Sequence, residues 1–65
     1  MRLKELRKEK GITQQKLALD LNTTQNSISR YESGLRPLDA NMLIKIADYF
    51  NVSVDYILER TDKKN

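Results

Sequence analysis

The sequence predicts an all-α protein, a compact five-helix bundle, and three observations lead to this fold class. No segment alternates β-branched and polar residues with the period of two that a strand requires. Residues that cap helix N-termini stand directly before amphipathic segments, and they are Thr13, Thr24, Asp39 and Ser53. Glycine or asparagine follows most of these segments, where a helix ends and the chain turns.

The punctuation of the chain sets the bounds of the predicted helices. We expect helices at residues 2–10, 14–21, 25–32, 40–50 and 54–59. Gly11 and Gly34 end the first and third helices, because glycine readily adopts the left-handed conformation of a C-terminal cap. Asn22 tolerates the same conformation in the tight turn between the second and third helices, and Asn51 ends the fourth.

The fourth predicted helix has a broad apolar surface. Its polar residues Asn41, Lys45 and Asp48 fall into one narrow stripe, and apolar residues cover most of the remaining circumference. A helix of this kind is usually surrounded by other elements. We therefore expect helix four to be the central element of the bundle.

The length and residue usage of the chain limit what it can be. Its 65 residues make a single domain, and a chain this short buries only about 60% of its unfolded surface. Cysteine and histidine are absent, which excludes disulfides and metal sites built from those residues. No apolar run approaches the roughly 18 residues of a membrane span, and Met1 leads into charged sequence without a signal-peptide pattern. We expect a cytoplasmic domain at residues 1–60, a short flexible tail at 61–65, no membrane partner, no cofactor and no small-molecule ligand.

The distribution of charge is suggestive but does not decide the function. The net charge is +3, and residues 1–38 carry eight Lys or Arg against four acids, whereas residues 39–65 carry four against five. A basic N-terminal half suits a polyanionic partner such as nucleic acid. An ordinary solvated surface explains the same distribution.

The third predicted helix carries the residues that indicate function. Its only large apolar side chains, Ile28 and Tyr31, lie three residues apart and anchor one face to the core. The other face consists of amides, hydroxyls and one guanidinium, with Ser27 at its margin. These residues are Gln25, Asn26, Ser27, Ser29, Arg30 and Ser33. Such groups hydrogen-bond to base edges in the major groove, so the face favours DNA recognition over its alternative, a plain polar surface.

Two short helices joined by a tight turn form a helix-turn-helix, here running from Thr13 to Ser33. In this unit the chain resembles the lambdoid phage repressor and Cro family of regulators, also called XRE-like. The matching stretches are GITQQKLALDLNTTQNSISRYESG, LIKIADYFNVSVDYIL and LKELRKEKG. The resemblance covers residues 2–61 and implies a lambda-repressor-like bundle with the helix-turn-helix at helices two and three.

The resemblance also implies which residues contact DNA bases. Gln25, Asn26 and Ser29 match positions that read bases, and Ser27 matches one that faces a base or a phosphate. Arg30 lies one turn past Asn26, from which it can reach a guanine or the backbone. The expected base-reading set is therefore Gln25, Asn26, Ser27, Ser29 and Arg30.

A second set of residues is expected to contact the DNA backbone. These residues are Thr13, Gln14, Ser33, Arg36 and Arg7. Gln14 matches a family glutamine that touches a phosphate and braces the first side chain of the recognition helix. Arg7 and Glu32 match an ion pair between helix one and the end of helix three; two unrelated surface charges are the alternative. Leu35 stands where the family often has a basic residue, so one backbone contact is expected to be missing.

The fifth predicted helix hints at a dimer. Val54, Ile57 and Leu58 form one stripe, while Tyr56 points well away from Val54. One short helix cannot easily bury both directions, and exposed apolar patches often mark interfaces. We expect a dimer face that includes Val54, Tyr56 and Leu58; a small scattered patch is the alternative.

The sequence therefore predicts a transcriptional regulator, most simply a repressor, that reads a palindromic operator in double-stranded DNA as a homodimer. The alternative is a protein-interaction module, for example an antitoxin-like component, on the same helix-turn-helix scaffold. An enzyme is not expected. The chain lacks His and Cys, and Gly11 and Gly34 are its only glycines, which leaves no glycine-rich phosphate loop.

Overall fold

The computed structural model describes residues 1–65 and contains five α-helices without any strand. The helices are α1 (Leu3–Lys10), α2 (Gln14–Asp20), α3 (Gln25–Ser33), α4 (Ala40–Phe50) and α5 (Val54–Ile57). The all-α, five-helix fold class is thus confirmed. None of the helices is both long enough and apolar enough to cross a bilayer.

Side-chain caps begin four of the five helices, at the residues that the sequence predicts. Thr13, Thr24, Asp39 and Ser53 have extended backbones, and each side chain accepts a hydrogen bond from the backbone N–H three residues later. Each bond satisfies one of the N–H groups that a helix N-terminus otherwise leaves without a partner. The N-terminal bounds of α2 to α5 are therefore a local property of the sequence.

A residue with positive φ follows every helix. Gly11, Asn22, Gly34 and Asn51 have φ values of 73°, 58°, 79° and 56°. Glu59 also has a positive φ of 62°, and the next N–H, of Arg60, bonds to the Asp55 carbonyl at 2.9 Å. This turn ends α5 at Ile57, two residues before the predicted end. The sequence does not predict this early end of α5, because glutamate seldom adopts the left-handed conformation.

The core receives one fully buried aliphatic side chain from each helix. These side chains have 0% exposure and belong to Leu3, Leu17, Ile28, Ile46 and Ile57. Seven further apolar residues, among them Ala18 and Tyr31, complete a single cluster. Because every helix contributes its own anchor, all five helices, including α3, are fixed to the same core.

The prediction that α4 is the central element is wrong. Ile46 and Ala47 are its only buried residues, and Ile44 is 55% exposed. Lys45 reaches the carbonyl oxygen of Leu21 at 3.3 Å, which brings the polar stripe of α4 beside the end of α2. A chain of this length has too few residues to surround an 11-residue helix, so α4 lies at the side of the bundle.

The two ends of the chain lie side by side. The backbone N–H of Arg2 donates to the carbonyl of Ile57 at 2.8 Å, and the Arg2 guanidinium lies 4.1 Å from the centre of the Tyr56 ring. Asp62 bonds to the same guanidinium at 2.9 Å and raises the pKa of Arg2. Lys64 lies 3.4 Å from Glu9. The flexibility expected of residues 61–65 stays a prediction beside these contacts.

Candidate nucleic-acid interface

The recognition unit consists of α2, the turn at Asn22, and α3. Ala18 lies midway along α2 and is only 3% exposed, so the small side chain lets α3 cross close to α2. The N–H of Thr23 bonds to the Ala18 carbonyl at 2.9 Å, which closes the turn. On the inner face of α3, Ile28 and Tyr31 are buried at 0% and 3%. The other face of α3 is consequently left at the surface.

The exposed face of α3 is polar and has unused hydrogen-bonding groups. The side chains of Gln25, Asn26, Ser29 and Arg30 are exposed and make no hydrogen bond within the chain, unlike their neighbours on α3. Gln25, Asn26 and Ser29 line one shallow depression together with Gln14 and with no apolar residue. We call the four α3 residues Gln25, Asn26, Ser29 and Arg30 the reading face. Its free amide, hydroxyl and guanidinium groups suit hydrogen bonding to an external partner.

The structure brings Arg7 and Glu32 together, as the resemblance implies. The Arg7 Nε lies 2.7 Å from one Glu32 oxygen, and its Nη2 lies 3.3 Å from the other. The side chains of Arg7 and Glu32 are only 12% and 4% exposed. Arg7 Nη1 also donates to the carbonyl of Ile12 at 2.8 Å. This paired and hydrogen-bonded cluster ties α1 to the last turn of α3.

Gln14 joins this cluster and does not bond to Gln25. Its Nε2 donates to a Glu32 oxygen at 3.1 Å. The expected brace between Gln14 and Gln25 is therefore not a direct hydrogen bond, although both residues line the same depression. The physical reason is that the carboxylate of Glu32 is a charged acceptor, which binds an amide more strongly than a neutral partner does.

Ser27 and Arg36 lie beside the reading face and contact each other. Arg36 Nη1 lies 3.2 Å from the Ser27 Oγ, and its guanidinium lies 5.2 Å from the centre of the Tyr31 ring. Ser27 is half-buried and also accepts a hydrogen bond from the Thr24 hydroxyl at 3.0 Å. Of the predicted base-reading residues, Ser27 is thus the one whose side chain is already engaged.

The remaining predicted backbone contacts lie at the two ends of the unit. The Thr13 hydroxyl caps α2 by accepting from the Lys16 N–H at 3.0 Å. Ser33, on the last turn of α3, is exposed and donates to the Arg30 carbonyl at 3.3 Å. Leu35 follows in the loop and is 79% exposed.

The predicted dimer face needs a correction at Tyr56. The Tyr56 side chain is 5% exposed, because it packs into the core beneath the Arg2 guanidinium. Val54 is half-buried and Leu58 is 41% exposed. Leu58 lines a shallow depression with Met1, Pro37 and other residues. Sequence reasoning missed Met1, because only the tertiary structure brings the N-terminus beside α5.

Sequence reasoning also missed a second polar cluster, formed where α2 and α4 meet. The hydroxyl of Tyr49 donates to Asp20 at 2.5 Å, and Lys16 Nζ lies 3.0 Å from the same carboxylate. The hydrogen bond from Tyr49 lowers the pKa of Asp20, and the same bond raises the pKa of Tyr49 to about 12. Lys16 and Asp20 have the i, i+4 spacing that signals a helix pair, but no local signal points to Tyr49. We call Lys16, Asp20 and Tyr49 the Tyr49 cluster.

Comparisons with known proteins agree with this geometry. A family model described as helix-turn-helix matches residues 3–57. The chain is similar to the HTH-type transcriptional regulator ImmR of Bacillus subtilis, with 42% identity over 98% of this chain and 52% of ImmR. It is also 42% identical to YqaE of the same organism, an uncharacterized HTH-type transcriptional regulator, over 88% of this chain and 49% of YqaE.

A third relative is the SPbeta prophage-derived uncharacterized HTH-type transcriptional regulator YonR of Bacillus subtilis. It is 37% identical over 92% of this chain and 56% of YonR. The chain thus spans about half the length of these curated relatives. No solved structure gives a significant match.

Proposed function

Because the chain belongs to the helix-turn-helix family, we propose that it is a sequence-specific DNA-binding transcriptional regulator, and specifically a repressor. The observation that carries this proposal is the reading face. Gln25, Asn26, Ser29 and Arg30 stand exposed on an anchored helix with their hydrogen-bonding groups unused. Regulation of bacterial transcription would take place in the cytoplasm.

The proposed mechanism places α3 in the major groove, as in the docking geometry of phage repressors. Gln25 or Asn26 can donate to N7 and accept from N6 of adenine, and Arg30 can donate to O6 and N7 of guanine. Ser29 can pair with either kind of base edge. Each good bidentate pair contributes about 1–3 kcal/mol of discrimination against the wrong base.

Contacts with the DNA backbone set the register of α3 in this proposal. The candidates flank the reading face and comprise Thr13, Gln14, Arg7, Ser33 and Arg36. Backbone contacts of this kind fix orientation but carry no sequence information of their own. The Arg7–Glu32 pair acts in part indirectly, since Glu32 holds Gln14 at the edge of the depression.

A homodimer would present two copies of α3 to successive major grooves, about 34 Å apart on a palindromic operator. The exposed apolar residues Met1 and Leu58 support this part of the proposal, because they adjoin a shallow depression that a second copy could cover. Val54, half-buried on α5, belongs to the same proposed region. Occupation of a promoter by such a dimer would block access of RNA polymerase.

Selection of bound duplexes from a random library tests the proposal directly. We expect enrichment of one sequence with two inverted half-sites whose centres lie about 10 base pairs apart. If the dimer neutralises about eight phosphates, log K should fall against log[salt] with a slope of about −7.

The competing function is a protein-interaction module. The reading face disfavours it, because none of its four residues is aromatic or aliphatic, and such anchors dominate protein interfaces. A library without any enriched sequence, together with binding that does not depend on salt, would contradict the DNA-binding proposal and favour this alternative.

A further inference from the structure

The loop after α3 folds back along the recognition helix. The N–H groups of Leu35 and Arg36 both donate to the carbonyl of Arg30, at 2.9 and 3.3 Å. From this position the Arg36 side chain runs toward the start of α3, and its Nη1 reaches the Ser27 Oγ at 3.2 Å. Its guanidinium also lies 5.2 Å from the centre of the Tyr31 ring. The Arg36 side chain is therefore held at two points, although Arg36 is an exposed loop residue.

The hydroxyl of Ser27 differs from that of Ser29 in what it already binds. A serine hydroxyl offers one donor and two acceptor sites. The Thr24 hydroxyl and the Arg36 guanidinium both donate to the Ser27 Oγ, at 3.0 and 3.2 Å. Ser29 is exposed and makes no such bond. Two serines on the same helix thus differ in the availability of their hydroxyl groups: that of Ser27 is engaged within the chain, and that of Ser29 is free.

We propose that Ser27 does not read a base but holds Arg36 at the margin of the reading face, where the guanidinium contacts a phosphate of the operator. The inference rests on the proposed function and deepens it. Ser27 is half-buried and precedes the buried Tyr31 by one helical turn, so it lies on the flank of α3 between the inner face and the reading face. When a helix occupies the major groove, phosphates line the groove walls and face such a flank.

The chemistry of the arrangement suits this task. A guanidinium has five N–H donors in a rigid plane, and Ser27 uses one nitrogen of Arg36, so the rest of the fork can donate to a phosphate. Holding the side chain in place before binding removes part of the ordering cost that a long side chain otherwise incurs at an interface. Ser27 is thus a positioning residue for affinity, not for sequence preference.

Matched alanine substitutions at the two serines test this assignment. We expect Ser27→Ala to weaken binding to the selected operator and to unrelated duplexes by the same factor, about two- to tenfold. Ser29→Ala, the control on the same helix, should instead alter the selected sequence. Arg36→Ala should reduce the steepness of the salt dependence by about one unit per protomer. In the Arg36→Ala background, Ser27→Ala should then cause no further loss. A changed sequence preference in Ser27→Ala, or an additive loss in the double variant, would overturn the assignment.

A measurement without DNA separates this inference from the proposed function. The heteronuclear NOE of the Arg36 side-chain Nε in the free protein reports its mobility on the ps–ns timescale. We expect a restrained Arg36 side chain in the wild type and a mobile one in Ser27→Ala, with the Arg30 side chain as the mobile reference. A fully mobile wild-type Arg36 overturns the inference even if DNA binds. If no duplex binds, the proposed function fails and the phosphate role fails with it, while the NOE still reports whether Ser27 holds Arg36.

Discussion

The reading face of α3 and the Tyr49 cluster are both polar, but they use their polar groups in opposite ways. In the Tyr49 cluster, the Asp20 carboxylate accepts hydrogen bonds from both Tyr49 and Lys16. On the reading face, Gln25, Asn26 and their neighbours are exposed and bond to nothing in the chain. The first set stabilises contact between α2 and α4, and the second is available to a partner.

This difference teaches how to distinguish a structural polar patch from a binding surface. Composition alone does not separate them, since both sets consist of polar side chains near the surface of the same small bundle. What separates them is whether the hydrogen-bonding groups have intramolecular partners. Ser27 shows that the distinction applies residue by residue, because it lies next to the reading face but its hydroxyl already has two partners within the chain.

The largest expected effect comes from removing the anchor that keeps the reading face exposed. Ile28→Ala should lower the free energy of unfolding by about 3 kcal/mol, because it leaves a cavity at a site with no exposure. Urea denaturation followed by circular dichroism measures the change. Ile44→Ala is the control and should change stability by less than about 0.5 kcal/mol, since Ile44 is 55% exposed. If Ile44→Ala lowered the unfolding free energy as much as Ile28→Ala, Ile44 would have to be buried, which would contradict the placement of α4 at the side of the bundle.

The next effect is expected at the Arg7–Glu32 ion pair, which is largely buried at the last turn of α3. Glu32→Gln should cost about 2 kcal/mol, because the Arg7 guanidinium is left without its charged partner at 12% side-chain exposure. Glu9→Gln, which removes the exposed pair with Lys64, should cost no more than about 0.5 kcal/mol. Denaturant midpoints compare the two variants, and similar midpoints would mean that burial does not strengthen the Arg7–Glu32 pair.

A smaller effect, confined to DNA binding, is expected on the reading face itself. Gln25→Ala should reduce discrimination at one base pair of each half-site by about 1.5 kcal/mol. The unfolding free energy should stay within about 0.5 kcal/mol of the wild type, because the Gln25 side chain is exposed. Duplex selection measures the loss of discrimination, and urea denaturation measures the unfolding free energy. An unchanged preferred sequence would place α3 in a different register.

The smallest effect is expected in the Tyr49 cluster and depends on pH. Tyr49→Phe should cost about 0.5–1 kcal/mol near pH 7, since it removes one hydrogen bond from a charged but partly solvated acceptor. DNA binding should not change. Denaturation across the pH range measures the cost.

The sign of the pH dependence follows from the two pKa shifts. The pKa of Asp20 is lowered from 3.8, so its contribution is present above that value and is lost as pH falls further. The pKa of Tyr49 is raised from 10.0 to about 12, so its contribution is present below pH 10 and is lost between pH 10 and about 12. In Tyr49→Phe the alkaline transition should disappear, because the ionising hydroxyl is gone, and the acid transition should diminish. Profiles that differ only by a constant offset would show that the bond does not control either pKa.

Much of the fold was predictable because its signals are local. The four capping side chains bond to residues three positions away, and the positive-φ residues Gly11, Asn22, Gly34 and Asn51 act within one turn. The same holds for Ile28 and Tyr31, whose spacing identifies the inner face of α3. Glu59 is the exception among helix ends, since a glutamate gives no signal of positive φ.

The candidate site was predictable in composition but not in detail. The polar side of α3 and the proximity of Arg7 to Glu32 agree with the sequence-based expectations. The hydrogen-bond partners of Gln14 and Ser27 could not be predicted from the sequence. Glu32 is 18 positions from Gln14, and Arg36 is 9 positions from Ser27, so these residues meet only in the folded chain.

The sequence by itself determined the number of helices, their caps and the polar identity of the reading face. Each of these depends on residues within a turn or two of one another, where steric and hydrogen-bonding preferences act without tertiary contacts. Only the tertiary structure decided that α4 lies at the side, that Tyr56 is buried under Arg2, and that Ser27 holds Arg36. These outcomes depend on how five small helices share one limited core. Helical periodicity states which faces are apolar, but not which of them the core has room to bury.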